Sequence, residues 1–276
     1  MLGSAVCKVF ASDERHETWG TLRDAGARRF FAESDRVRLI DGVDVGNLNA
    51  VVTVMNRVRP DVVINAVGVI KQLAIASDPL VVLPINAMFP HRLAALCGLL
   101  GARMIQLSSD CVYSGRAGHY VETDLADAED LYGKSKYIGE VHDQPHVITL
   151  RTSGIGRELD SRNGLLEWFL SQQGRVKGFS QAIYSGLPSV ELARVILEFV
   201  LPHPEMKGLY HVSAKPVSKL DLLTLIAAVY GKKIVIEPDD AVHIDRSLNS
   251  GRFTGATGYV AADWPELIAG MYEHRS

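Results

Sequence analysis

The feature that most constrains this chain is an alternation. Short runs rich in β-branched residues trade places with longer stretches of helical periodicity from residue 17 to residue 151. Glu17–Leu22 reads as a strand, and Leu48–Arg59 as a helix stopped by Pro60. Val62–Val67 is an unbroken apolar run, the pattern of a parallel strand buried on both faces. Asn86–Leu100 reads as a helix with Gly101 at its C-cap. Arg103–Ser108 is the next strand, Tyr132–Val141 a helix and His146–Arg151 a strand. Such β-α-β-α order predicts an α/β fold with a doubly wound parallel sheet, and right-handed crossovers place helices on both of its faces. The pattern loosens after Arg151, where Gly164–Leu170, Val190–Leu201 and Lys219–Tyr230 read as helices separated by irregular segments. This second half is expected to form a smaller region over the carboxyl ends of the strands, the edge at which such sheets bind ligands.

The 276 residues suit two domains or one large α/β unit. Hydrophobic residues at 47% and charged residues at 22% are globular values and exclude disorder, a collagen-like chain and a coiled coil. A net charge of −3 argues against a broad basic surface, so nucleic acid is not an expected partner. An anionic ligand would need a local site. No uncharged apolar stretch reaches the ~18–20 residues that span a bilayer, and Leu93–Ala102 ends at Arg103. Neither a membrane nor a secretory route is expected. Cys7, Cys97 and Cys111 are far apart and form no C-x-x-C pair, and the histidines, His91 among them, show no metal-ligand spacing. Reduced thiols in a cytoplasmic protein without a metal are the expectation.

The strongest candidate for chemistry is Tyr132-Gly133-Lys134-Ser135-Lys136. Tyr132 and Lys136 are one turn apart and share a helix face. A free phenol has a pKa of ~10, and a neighbouring cation favours its ionised form. Such a tyrosine donates a proton to a carbonyl oxygen while hydride reaches the carbon. Solvated helix faces carry the same pair without function. Upstream, Ser108-Ser109-Asp110-Cys111-Val112-Tyr113 follows directly on the strand ending at Leu107. A hydroxyl there is placed to bond a substrate carbonyl, or simply to cap a turn. In Asp61-Val62-Val63-Ile64-Asn65-Ala66-Val67-Gly68 a strand ends in small residues, which let a flat ligand approach the backbone or merely make the turn.

In this order these pieces resemble the extended short-chain dehydrogenase/reductase family, and within it the dTDP-4-dehydrorhamnose reductases and related nucleotide-sugar reductases. The resemblance runs from Leu2-Gly3 to Trp264-Pro265-Glu266-Leu267. It implies a Rossmann-like dinucleotide-binding domain over residues 1–152. Residues 153–276 would be mainly substrate-binding, with segments returning to the first domain. Ser109, Tyr132 and Lys136 match the catalytic triad. Lys136 would lower the tyrosine pKa and bond the nicotinamide ribose. Leu2 and Gly3 match the turn under the pyrophosphate, and Asp44-Val45 the acidic-apolar pair at the adenine. Ala66, Val67 and Gly68 match the turn over the cofactor, Asn86 the helix asparagine near the active site, and Thr152 and Ser153 the segment beside the nicotinamide. Arg23, twenty residues after Gly3, suits the 2′-phosphate of NADP, so NADP(H) is expected, with NAD(H) the alternative because Asp24 follows. The implied reaction reduces a 4-keto nucleotide-linked deoxysugar. The alternatives are a nucleotide-sugar epimerase or dehydratase that recycles its cofactor, and a non-catalytic regulatory or binding relative. Ser109, Asp110, Asn163, Trp168 and Arg246 are the implied substrate contacts, with Arg252 a second cation for a diphosphate. Structural roles are equally open to Arg246 and Arg252, and Trp168 also suits a core. A homodimer is allowed.

The amino end departs from the family. Of its G-x-x-G-x-x-G turn only Gly3 remains, at the start of a helix, without the preceding strand. A chain truly beginning at Met1 would lack four or five buried side chains worth roughly 6–15 kcal/mol, comparable with a whole domain's stability of ~5–15 kcal/mol. The expectation is that Met1 is internal to a longer reading frame. The alternative is a real truncation with impaired activity. Cys111 stands where those reductases often carry an aromatic residue, and Val67-Gly68-Val69-Ile70-Lys71 differs from their usual stretch, so the sugar is left open.

Overall fold

A computed structural model describes residues 1–32 and 37–274. The described chain opens with the helix Leu2–Ala11, then β1 (Trp19–Thr21), β2 (Arg38–Ile40) and the helix Leu48–Val58. Asn47 caps that helix by accepting from the Asn49 amide at 3.1 Å, and Arg59, at φ 49°, ends it before Pro60. β3 (Val62–Asn65), the helix Pro79–Leu100, β4 (Arg103–Leu107), the helix Leu131–Ile138 and β5 (Val147–Arg151) follow. Gly101 closes the Pro79–Leu100 helix at φ 70°, a left-handed conformation that glycine adopts without a Cβ penalty.

The second half carries β6 (Gly154–Ile155), the helix Leu165–Ser171, β7 (Arg175–Phe179), β8 (Ala182–Tyr184), β9 (Leu187–Pro188) and the helix Ser189–Val195 with a π continuation Ile196–Val200. After these come β10 (Gly208–His211), β11 (Val217–Ser218), the helix Lys219–Val229, β12 (Val235–Asp239), β13 (Ile244–Asp245) and the helices Gly251–Thr257 and Trp264–Glu273.

The main sheet is parallel, in the order β10-β5-β4-β3, so a strand from the second half returns to its edge. Its two faces bury different residues of the same strands, as period-2 alternation demands. Ile105, Ile148 and Leu150 meet Val6, Phe10, Leu192, Ile196 and Ile268 on one side. Met104 and Val147 meet Val51, Met55, Phe89, Leu93 and Cys97 on the other. The expected doubly wound α/β architecture is thus present.

β1 and β2 form a separate parallel pair. β3 therefore pairs only with β4. The sequence expects Val62–Val67 to be buried on both faces, but Val62, Val63 and Ile64 are half-buried and the strand ends at Asn65. An edge strand with one ladder leaves its open side uncovered.

The helix Pro79–Leu100 begins earlier than the sequence suggests. It is 22 residues long and apolar enough to cross a bilayer by length and composition. Here it is a core helix, with Val82, Phe89, Leu93 and Cys97 buried. Between Leu83 and Met88 it widens into a π turn.

Candidate active site

The site is built where β4 and β5 end side by side. Their ladder continues past the strands: the Ser108 amide donates to the Leu150 carbonyl at 2.8 Å, and the Asp110 amide to the Thr152 carbonyl at 3.1 Å. Ser109 caps the short turn Asp110–Val112. Its hydroxyl accepts from the Cys111 amide and donates to the Asp110 carboxylate, both at 3.1 Å. Asp110 is buried, which raises its carboxyl pKa, while Arg246, Cys111, Ser109 and Ser153 pull it down.

The helix Leu131–Ile138 is fixed at its start by Asp130, whose carboxylate accepts from the Gly133 amide at 2.8 Å and pairs with Lys71 at 2.6 Å. A Cβ on Gly133 would stand 2.2 Å from the Cys111 carbonyl oxygen, so only glycine lets the helix press against the Ser109–Cys111 turn. That approach brings the Tyr132 phenol close enough to the Ser109 hydroxyl for Ser109 to pull its pKa down. Burial raises the Tyr132 pKa, Cys111 adds to the rise, and the Ser109 hydroxyl is the leading counterweight.

Lys136 is buried and its ammonium donates to the Leu107 carbonyl at 2.8 Å. Burial depresses its pKa to about 8 against the pull of Glu140. The ammonium bonds a backbone carbonyl, and desolvation is the largest influence on the phenol. Glu140 lies one turn on, buried, and holds Arg151 through two 2.7 Å bonds while accepting from Ser108 at 2.6 Å.

Facing this helix, Asn86 sits in the π turn. Its amide accepts from the Val69 N–H at 2.8 Å and donates to the Val69 carbonyl at 3.0 Å, pinning the strand-end loop after β3. A Cβ on Gly68 would lie 3.3 Å from Asn86 Oδ1 and 4.0 Å from Lys136 Nζ. Gly3 approaches Ala66, to 3.6 Å from a built Cβ, and Leu2 approaches Gly154. The start of the first helix, the end of β3 and the end of β5 thus meet beside the Ser109–Tyr132–Lys136 group.

A family model described as the RmlD substrate binding domain matches residues 1–245. The chain belongs to this family.

Among curated relatives, the mouse methionine adenosyltransferase 2 subunit beta is 29% identical over 140 residues, 51% of this chain and 39% of that protein. The Salmonella typhimurium dTDP-4-dehydrorhamnose reductase is 26% identical over 181 residues, 62% of this chain and 60% of that enzyme. The chain therefore aligns with less than two thirds of either. The crystal structure of a Bacillus anthracis dTDP-4-dehydrorhamnose reductase in complex with NADP superposes with a TM-score of 0.76 at 18% identity. That match covers 94% of this chain and 99% of that one, a likeness of fold.

Within this RmlD-family fold the expected residues fall into two groups. Ser109, Asp110, Tyr132, Lys136, Asn86, Gly68, Thr152 and Ser153 are joined by the contacts above. Arg23 and Asp44 lie apart from them, at the ends of β1 and β2, both exposed. The Asp24 carboxylate accepts from the Gly26 amide at 2.7 Å as a turn cap, whereas Arg23 has no hydrogen bond or ion pair among the described residues. Asp44 accepts from the Gly46 amide at 2.8 Å, and Val45 packs against the second core cluster. The Val67 amide donates to Asn65.

Arg246 donates from Nε to the Tyr113 carbonyl at 2.7 Å and borders a cavity of about 690 Å³ with Asp130, Ile183 and Asp245. Asn163 is exposed on a loop, its amide bonded to Glu158, and Trp168 is 37% exposed on its helix. Neither borders that cavity. Arg252 stacks over the Tyr210 ring at 4.5 Å.

Sequence reasoning missed Lys71, Asp130 and Lys219 at the site. Only Asp130 carries a signal, as the N-cap three residues before Gly133. Cys111 is pushed up to about 12 by burial, which leaves it a thiol.

The donor set fits a dinucleotide. Thr152 Oγ1 is buried with no hydrogen-bond partner, beside the Asp110 backbone that its own carbonyl holds. Gly3 stands in the first turn of the helix Leu2–Ala11, the kind of helix N-terminus at which phosphate is favoured.

Proposed function

We propose that this chain binds NADP(H) and reduces the 4-keto group of a nucleotide-linked deoxysugar. The observation that carries this is the meeting of the Ser109 hydroxyl and the Tyr132 phenol at the end of β4, with Lys136 anchored two residues away at Leu107. When bound, the dihydronicotinamide supplies hydride. Gly3, Ala66, Gly68, Asn86, Thr152 and Lys136 would hold it, with Arg23 on the ribose phosphate. Ser109 holds the substrate carbonyl and stabilises the charge that grows on its oxygen. Tyr132, kept protonated by burial, gives its proton to that oxygen as the C–H bond forms, and the product is the alcohol. Asp110 and Arg246 face the sugar nucleotide.

The test follows NADPH oxidation at 340 nm against a panel of 4-keto-sugar nucleotides. Tyr132→Phe should lower kcat ~10²–10⁴-fold and leave NADPH affinity near wild type. A variant with normal turnover removes Tyr132 from this role. A second reading, a non-catalytic subunit, is favoured by the 29% identity to a protein named as a subunit. It predicts cofactor binding with no net NADPH consumption across the whole panel.

A further inference from the structure

One buried carboxylate joins the three elements that carry the site. Glu140 stands just past the end of the helix Leu131–Ile138. Its Oε1 accepts from the Ser108 hydroxyl at 2.6 Å and from Arg151 Nε at 2.7 Å, and its Oε2 accepts from Arg151 Nη2 at 2.7 Å. Ser108 directly precedes Ser109 at the end of β4, and Arg151 directly precedes Thr152 at the end of β5. Lys136 lies four residues before Glu140 and Tyr132 eight. Every bond of this carboxylate therefore ends beside a residue of the site. The pair is enclosed, with 1% of the Glu140 side chain and 3% of the Arg151 side chain exposed. Arg151 Nη1 donates to the Tyr113 hydroxyl at 2.5 Å, and that hydroxyl donates to the Val121 carbonyl at 3.0 Å. His211, 3.3 Å from the same hydroxyl, is pushed down to about 4 by burial and the Arg151 cation, so it adds no charge at neutral pH. Desolvation offsets most of the attraction in such a pair, and apolar residues of equal volume often stabilise as well. What the bidentate fork supplies is one fixed placement of its two ends.

We infer that Glu140 is a positioning residue, whose carboxylate fixes the Ser109 end of β4 and the Thr152 end of β5 against the helix that carries Tyr132 and Lys136. This rests on the reading of that site given above and adds to it the residue that sets its register. Glu140 is also the leading group that favours the charged form of Lys136, against burial. Cys111, the other titratable group that bears on Lys136, is a thiol. Asp110, on the turn packed against the helix, bears on Tyr132. Gly68 and Asn86, on the facing side, carry no charge, and Lys71 and Asp130 at the helix start neutralise each other.

The test combines Glu140→Gln with Arg151→Met in one full-length variant, so that neither charge is left buried alone. Tm, turnover and NADPH affinity are measured, the last from about pH 6 to about pH 10. Wild-type affinity should fall as Lys136 loses its proton, at a pH of about 8. In the double variant that midpoint should move down by at least about half a unit. Its Tm should stay within about 5 °C of wild type. Its kcat should fall about 10- to 100-fold, while KM for NADPH at neutral pH changes by less than about threefold. Ser108→Ala, which cuts one bond of the carboxylate and leaves the ion pair intact, should lower kcat about 3- to 10-fold at an unchanged Tm. A role confined to stability predicts no such loss in a folded variant. Wild-type turnover in Ser108→Ala, or a midpoint that stays in place in the double variant, overturns the positioning role. If the midpoint moves as expected and no keto-sugar oxidises NADPH, the placement of Lys136 by Glu140 stands and the reductase reading falls.

Discussion

Lys136 is the residue whose environment departs furthest from its sequence expectation, and the departure has a measurable sign. Its folded pKa is about 8 against 10.5 for the free side chain. Between those values the unfolded state binds more protons, so this group makes the folded state more stable as pH rises from 8 toward 10.5. Denaturant midpoints of the wild type, minus those of Lys136→Met, should therefore grow over that window. A flat difference would mean that the ammonium is as well solvated inside as outside. The sequence gives the pairing with Tyr132 through their one-turn spacing. Whether the ammonium points to the phenol or to the Leu107 carbonyl depends on where β4 ends, which spacing does not encode. Arg23 shows the opposite case. Twenty residues of spacing locate it, and Asp24 beside it serves as a turn cap while Arg23 has no ion pair among the described residues. Arg23→Ser should raise KM for NADPH about tenfold while leaving KM for NADH nearly unchanged. Equal effects on the two cofactors would remove the 2′-phosphate as its partner.

At the scale of elements, the helix Leu131–Ile138 is placed by glycines. Gly133 admits the Cys111 carbonyl, and a Cβ on Gly139, just past the helix end, would stand 1.9 Å from the Asn86 carbonyl oxygen. Pro90, four residues on, has no N–H to bond that carbonyl in the α-helical pattern. The same proline arrangement explains why the helix start is misread. Pro84 lies just before the expected start at Asn86, whereas Pro79 starts the helix and the π turn accommodates Pro84. Gly139→Ala should cost about 1–3 kcal/mol and displace Asn86 from Val69. A lower Tm together with weakened cofactor binding would register both. Unchanged binding at a lowered Tm would separate the π turn from the cofactor site. The strands β4 and β5 are legible because each is an apolar run with a sharp stop. The strands from β6 to β13 are not, because most have two or three residues and their pairing is set by distant partners.

For the whole molecule, the consequence lies in how the parallel array is divided. The main sheet has β4 and β5 laddered on both edges, while β1 and β2 have one ladder between them, of three residues each. The first helix bridges the two pieces, with the Gly3 backbone close to Ala66 and the Cys7 side chain close to Gly20, and no ladder hydrogen bond joins β1 to β3 among the described residues. Cooperative unfolding needs shared buried contacts; the small unit shares them through the first helix and through Ile40, Val43 and Val45 in the second core cluster, but without a ladder to the main sheet among the described residues, so it opens at lower cost than the sheet it leans on. The amides of Leu22 and Arg38, bonded to Ile40 and Thr18, report the small unit. The amides of Met104 and Ser108, bonded to His146 and Leu150, report the main sheet. Native-state hydrogen exchange should show the first pair exchanging at least about tenfold faster than the second, equivalent to ~1.4 kcal/mol of separate opening. Arg23 and Asp44, proposed to face the adenosine half of the cofactor, lie at the ends of the small unit, so a dinucleotide that touches both pieces should narrow that gap. Saturating NADPH is the check: protection should rise at Leu22 and Arg38 more than at Met104. Equal protection in both units without ligand would mean that side-chain packing alone makes them one cooperative body.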